Sequence, residues 1–330
     1  MKKYVHYDAF ESADARGFVR VQNVCKISPG VRMPPEDKLM TAPSRRPPGG
    51  VPLSRMCGHL LRRAQQVHNG WWTEEFANDL TSPQYAVLAV LSVRPGIDQS
   101  LLGELVSLDK SSVADVVARL AGRMWVSRDR DPADGRRNVL TLTPAAATAF
   151  RYLVPSSRRV QERLLAPVPA EDRESLLRSL RAIARFDPSE VGSHIDQPGH
   201  LIRRAQRVHT AYWAQTFDRE LTGPQYAAMH VLALWPDINQ RQLGVAAGLD
   251  RSTGADILDR LDRRGWVIRH RDPADGRGKL LALSDEAAAI IDDLAPRVAV
   301  VQDALLAPLA SAAEREEFLR SLALVAYPRD

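Results

Sequence analysis

At 330 residues the chain is long enough for two domains, and an apolar fraction of 45% beside a charged fraction of 26% is that of an ordinary globular protein. No apolar run reaches the roughly 18–20 residues a membrane helix needs, and two cysteines, Cys25 and Cys57, exclude a disulfide scaffold, so the expected compartment is the cytoplasm. The net charge of +5 sits at one end: residues 1–57 hold ten Lys and Arg against five Asp and Glu, and any basic surface on the neutral remainder must be local.

Residues 1–57 form a Pro/Gly-rich basic leader with few large apolar side chains, which predicts disorder. From residue 60 to 79, apolar residues at 60, 61, 64, 67, 71, 72 and 76 have a helical period. Thr81 and Gln84 have capping-box spacing, and Pro83 suits the first turn of a second helix that Pro95-Gly96 stops. Asp98 caps a short third helix and Asp109 a fourth, SSVADVVARLAGR. WVSRDRDPADGRRNVLTLTP then reads as a hairpin with a polar tip. Thr143-Pro144 opens a long helix, and a last one runs from Pro169 to near Phe186.

The same order then repeats. GHLLRRAQQVH from Gly58 returns as GHLIRRAQRVH from Gly199, LTSPQYA from Leu80 as LTGPQYA from Leu221, and RDPADGR from Arg130 again from Arg271, each at an offset of 141. A period this long means tandem domains and not a solenoid. The predicted organisation is a leader over 1–57, a first domain over 58–186, a linker over 187–198 and a second domain over 199–330. The predicted fold class is mainly α with small β wings.

Two short helices joined by a tight turn and followed by a hairpin make a winged helix-turn-helix, whose second helix enters the major groove. LTSPQYAVLAVL, SLLGELVSLDKSSVADVVARL and WVSRDRDPADGRRNVLTLTP, together with their second copies, resemble the MarR (multiple antibiotic resistance regulator) family. The resemblance implies a DNA-binding transcriptional regulator, commonly a repressor relieved by a small ligand. It also implies pairing through the first and last helices, with the ligand between that interface and the DNA-binding lobe. Two copies in one chain then suggest an intramolecular pseudo-dimer on a pseudo-palindromic operator; a homodimer of chains is the alternative.

On the fourth helix, Ser111, Ser112, Asp115 and Arg119 fall on or near the side opposite Val113, Val117 and Leu120; the second copy offers Ser252, Thr253, Asp256 and Arg260. These are candidate base contacts, or else residues that only cap and solvate a surface helix. In the wing, Arg136 and Arg277 occupy the family's wing-arginine position, with Arg137 and Lys279 beside them. Arg128, Arg130, Arg269 and Arg271 contact phosphate or pair with wing aspartates. Met124 stands where the second copy has Gly265, so either Met124 takes a left-handed conformation or Gly122 ends the helix early.

His68 and Trp72 share one helix face, as do His209 and Trp213. They suit either an aromatic or phenolic effector or plain core packing. Cys57 precedes the first helix, where a lowered thiol pKa would suit a redox sensor, yet Pro198 replaces it in the second copy. Another reading makes one half a degenerate dimerisation or protein-interaction module, with Gly254 in place of Val113 as its mark. No enzyme, cofactor or metal is expected: Ser107 to Lys110 spells S-x-x-K by coincidence, and the eight histidines lack ligand spacing.

Overall fold

The computed structural model describes residues 46–130, 138–190, 192–218, 220–273 and 278–328. Its first half runs α1 (Cys57–Phe76), α2 (Ser82–Val93), α3 (Gln99–Leu105), α4 (Lys110–Gly122), β1 (Val126–Arg130), β2 (Asn138–Leu142), α5 (Pro144–Leu165) and α6 (Ala170–Ala184). The second half repeats the order with α7 (Pro198–Phe217), α8 (Gly223–Leu234), β3 (Ile238–Asn239), α9 (Gln240–Ala247), α10 (Arg251–Arg263), β4 (Val267–Arg271), β5 (Lys279–Leu283), α11 (Asp285–Leu306) and α12 (Ala312–Ala326). Among the described residues, no helix is long and apolar enough to cross a membrane.

Local chemistry sets the boundaries. Thr81 and Gln84 close a reciprocal capping box on α2, and Thr222 with Gln225 does the same on α8. Asp98 and Asp109 accept from Leu101 N and Ser112 N at the starts of α3 and α4. The hairpins pair in matching register, Val126 with Leu142 and Val267 with Leu283. Met124 takes the left-handed conformation at φ 56°, as Gly265 does at φ 70°, and α4 does not end early relative to α10. Tertiary pairing of the wing thus overrides the side chain's preference.

The two halves share cores. Leu60, Leu61 and Ala64 of α1 pack in one cluster with Leu201 and Ile202 of α7 and with Leu322, Val325 and Ala326 of α12. A second cluster gathers Phe217, Tyr226, Met229, Ile257, Leu281 and Ile291, and it includes Leu53 and Met56. The expectation of a disordered leader over 1–57 is therefore corrected at its end. Two 3₁₀ turns, Pro48–Gly50 and Leu53–Arg55, carry buried Pro48 and Leu53 against the second half. Pro and Gly composition hid two apolar anchors. Residues 1–45 lie outside the described residues.

The contact between halves is reciprocal. A Cβ on Gly199 would stand 2.3 Å from His68 Nε2, and one on Gly58 would stand 2.1 Å from His209 Nε2. Gln161 Oε1 accepts from Gly199 N at 2.9 Å, and Gln302 Oε1 accepts from Gly58 N at 3.3 Å. Each histidine thus lies across the opening turn of the other half's first helix.

Candidate nucleic-acid interface and the cleft behind it

The second helix of each helix-turn-helix pair turns one face inward. On α4 the buried residues are Val113, Val117 and Leu120; on α10 they are Gly254, Ile257, Leu258 and Leu261. Ser111, Asp115 and Arg119 are exposed and Ser112 half-exposed, while Ser252, Thr253, Asp256 and Arg260 are all exposed. The hydroxyls are already engaged. Ser111 Oγ and Ser112 Oγ donate to the Asp109 carboxylate at 2.6 and 2.7 Å. Ser252 Oγ and Thr253 Oγ1 donate to Asp250 at 2.7 and 2.6 Å. The Ser111 hydroxyl, followed by the Ser112 amide and hydroxyl, holds Asp109 well below the usual carboxylate range. Thr253 and Ser252 hold Asp250 down to about 2. With their protons committed, these hydroxyls present lone pairs outward, which suits the amino groups of adenine or cytosine.

Lys110 and Arg251, the first residues of α4 and α10, are exposed beside these hydroxyls. Sequence reasoning passed over them; the signal was a basic residue directly after the capping aspartate in both copies.

The wing divides. Arg136, Arg137 and Arg277 lie outside the described residues. Lys279 opens β5 opposite Arg271, and both are exposed. Arg269 pairs with Asp259 at 3.1 Å and Asp262 at 3.6 Å, both on α10. The first half has Ala118 and Ala121 at those positions, so Arg128 stands exposed without that pairing. Arg123 donates to Asp79 O and Arg264 to Glu220 O, each at 2.5 Å, which ties each wing base to the loop before α2 or α8.

Behind α2 lies a cleft lined by His68, Trp72, Tyr85, Gln161, His200 and Arg203. The space they leave holds about one water molecule. Trp72 is no open platform: its indole N–H donates to Leu80 O at 2.7 Å and its ring stacks on Phe76 at 4.5 Å. Trp213 repeats this with Leu221 O at 2.6 Å and Phe217 at 4.5 Å. Burial, with Arg203 second, pushes His68 down to about 4, and burial with Arg62 does the same to His209. Burial also pushes His200 well below its ordinary value, and Arg203 down to about 10, so near neutral pH the ring is uncharged and the guanidinium charged.

The arginines link this cleft to the helix-turn-helix pairs. Arg203 of α7 donates to Val106 O at 3.2 Å, to Ser82 Oγ at 3.2 Å and to His200 Nδ1 at 2.9 Å. Arg204 donates to Glu104 O at 3.0 Å. Reciprocally, Arg62 of α1 donates to Ala247 O at 2.8 Å and to His59 Nδ1 at 3.0 Å. Each half therefore caps the C-terminal carbonyls of the other half's first helix-turn-helix helix, α3 or α9. No local sequence signal announced these crossings.

Cys57 corrects an expectation. It is the first residue of α1, yet fully buried, and burial pushes its thiol up, not down. Desolvation of the thiolate outweighs the helix dipole, and the buried sulfur lacks the exposure a redox sensor needs.

Family models described as MarR family match residues 80–137 and 220–278. Over 123 residues the chain is 35% identical to the transcriptional regulator HosA of Escherichia coli O111:H-, spanning 37% of this chain and 90% of that protein. Over 150 residues it is 29% identical to the HTH-type transcriptional repressor NicR of Pseudomonas putida, spanning 44% and 95%. The crystal structure of the PcaV transcriptional regulator from Streptomyces coelicolor aligns at 41% identity over 41% of this chain and 91% of that one, with a TM-score of 0.37. With two matched segments in one register and a relative covered almost from end to end, this chain belongs to the MarR family.

Proposed function

We propose that this chain is a transcriptional repressor that grips double-stranded DNA as a single-chain pseudo-dimer. Residues 58–186 and 199–330 serve as its two winged domains and 187–198 as the joint. The observation that carries the reading is reciprocity: two equally capped recognition helices, each held from behind by the other half's first helix. Ser111, Ser112, Ser252 and Thr253 read base edges as acceptors. Lys110, Arg119, Arg251 and Arg260 contact phosphates, and Arg136, Arg137, Arg277 and Lys279 act at the wings. Asp115 and Asp256 accept from cytosine amino groups. The name of NicR supports repression as the mode. Release comes from a small aromatic acid entering the cleft: a molecule larger than water must shift some of the side chains lining it, and one of these, Arg203, holds Val106 O of the helix-turn-helix.

The test is fluorescence anisotropy of the full chain on DNA from its own upstream region, titrated with salt and challenged by a scrambled competitor. The reading expects specific binding whose logarithm falls linearly with that of the salt concentration, by roughly 0.9 per phosphate contacted. Binding that needs a second chain per operator refutes the pseudo-dimer. Affinity equal to that for the competitor, for this and for genomically selected DNA, refutes the regulator.

A further inference from the structure

The two clefts related by the offset of 141 are not alike. In the first half, the segment ahead of α7 contributes His194 and Gln197, and Ser157 Oγ donates to Gln197 Oε1 at 3.1 Å. In the second half the corresponding positions are Leu53, Met56 and Val298, all buried in the apolar cluster around Trp213 and Tyr226. The leader's end thus fills with hydrocarbon the place that the linker lines with polar groups.

The histidine at the head of each cleft differs as well. His59 and His200 each accept a guanidinium N–H at Nδ1, from Arg62 at 3.0 Å and Arg203 at 2.9 Å. A guanidinium only donates, so the neutral ring carries its proton on Nε2. His59 Nε2 gives that proton to Tyr327 OH at 3.0 Å. His200 has Phe186 in the equivalent place, edge-on at 5.6 Å, and its Nε2 has no partner although the residue is only 6% exposed. A buried donor without an acceptor is costly, and an incoming acceptor recovers that cost.

We infer that each chain carries one effector site, in the first-half cleft, for a small aromatic carboxylate that accepts from His200 Nε2–H beside the Arg203 guanidinium, and that the second-half counterpart is closed by Leu53 and Met56. The inference rests on the ligand-relieved repressor reading above and adds its stoichiometry and direction. Trp72 and Tyr85 give the site its aromatic walls. Because Arg203 holds the C-terminal end of α3, the ligand loosens the first helix-turn-helix and leaves the second, capped by Arg62, in place.

Isothermal titration of the full chain with benzoate and a set of hydroxybenzoates tests this, read together with Phe186→Tyr and Tyr327→Phe. The expected result is one ligand per chain. Phe186→Tyr supplies His200 with the hydroxyl that His59 already has and weakens binding tenfold or more; Tyr327→Phe leaves affinity unchanged. Circular dichroism and unaltered operator affinity without ligand show that both variants fold. Two ligands per chain, or loss of binding in Tyr327→Phe alone, overturns the single first-half site while leaving ligand-relieved repression standing. No binding by any of the acids at millimolar concentration overturns both.

Discussion

The crossing of His68 onto Gly199 makes a sharp prediction about a single methyl group. In Gly199→Ala the new Cβ would lie 2.3 Å from Nε2 and 2.4 Å from Cδ2 of His68. Ordinary contact is about 3.5–4.0 Å, so the ring or the helix must move by more than about 1 Å. Neither has room. His68 is 1% exposed and tilted against Trp72 at 5.5 Å, and the helix start is held by Gly199 N donating to Gln161 Oε1. The expected cost is that of overpacking a rigid core, about 2–3 kcal/mol. The assay is urea unfolding of the full chain followed by tryptophan fluorescence. Gly70→Ala is the control: it lies in the same α1 helix as His68, is exposed, and a Cβ there meets nothing within 4 Å, so that change stabilises by about 0.5–1 kcal/mol. Gly58→Ala, against His209, should match Gly199→Ala. Combining Gly199→Ala with His68→Ala should remove most of the penalty. If Gly199→Ala stabilises as Gly70→Ala does, the two halves do not meet through these residues and the reasoning fails.

Acid should weaken the protein early. His68 and His209 titrate near 4 when folded against 6.5 in the open chain, so their contribution is complete above 6.5 and lost as pH falls toward 4, where each costs about 3 kcal/mol. A urea midpoint unchanged between pH 7 and pH 4.5 would contradict the burial of both rings. Met124→Gly should raise stability by about 1 kcal/mol and Gly265→Ala lower it by a similar amount, since both positions hold positive φ; equal and opposite shifts in the urea midpoint are the readout. Lys110→Ala and Arg251→Ala should each lower DNA affinity at every sequence and reduce the salt slope by roughly 0.9; an unaltered slope in anisotropy would remove them from the interface.

Much of this was legible because it is local. The capping aspartates, the Thr81–Gln84 box and the wing hairpin are short-range patterns, and each stands where the residues predict. The exposed set on α4 and α10 followed from helical period alone. What stayed hidden depends on distant parts of the chain. Nothing near Gly199 announces a histidine 131 positions earlier, and nothing near Arg62 names the carbonyl of Ala247. The aromatic pairs at His68–Trp72 and His209–Trp213 read as effector platform or as core, and nothing local in the sequence showed that both indole N–H groups are bonded, to Leu80 O and Leu221 O. Composition misled at Leu53 and Met56, whose buried side chains help to dock a segment of prolines and glycines.

The packing of α1 against α12 has a consequence for synthesis. Leu60, Leu61 and Ala64 leave the ribosome early, while Leu322, Val325 and Ala326, which help to cover them, leave among the last. At about 5–20 residues per second, roughly 10–50 s separate the two events. Throughout that interval a nascent chain lacks one of the helices that cover α1, and its first core stays incomplete. A chain cut short before α12 is therefore expected to leave part of that apolar face exposed. The packing that joins the two copies also makes the first domain wait for the last helix.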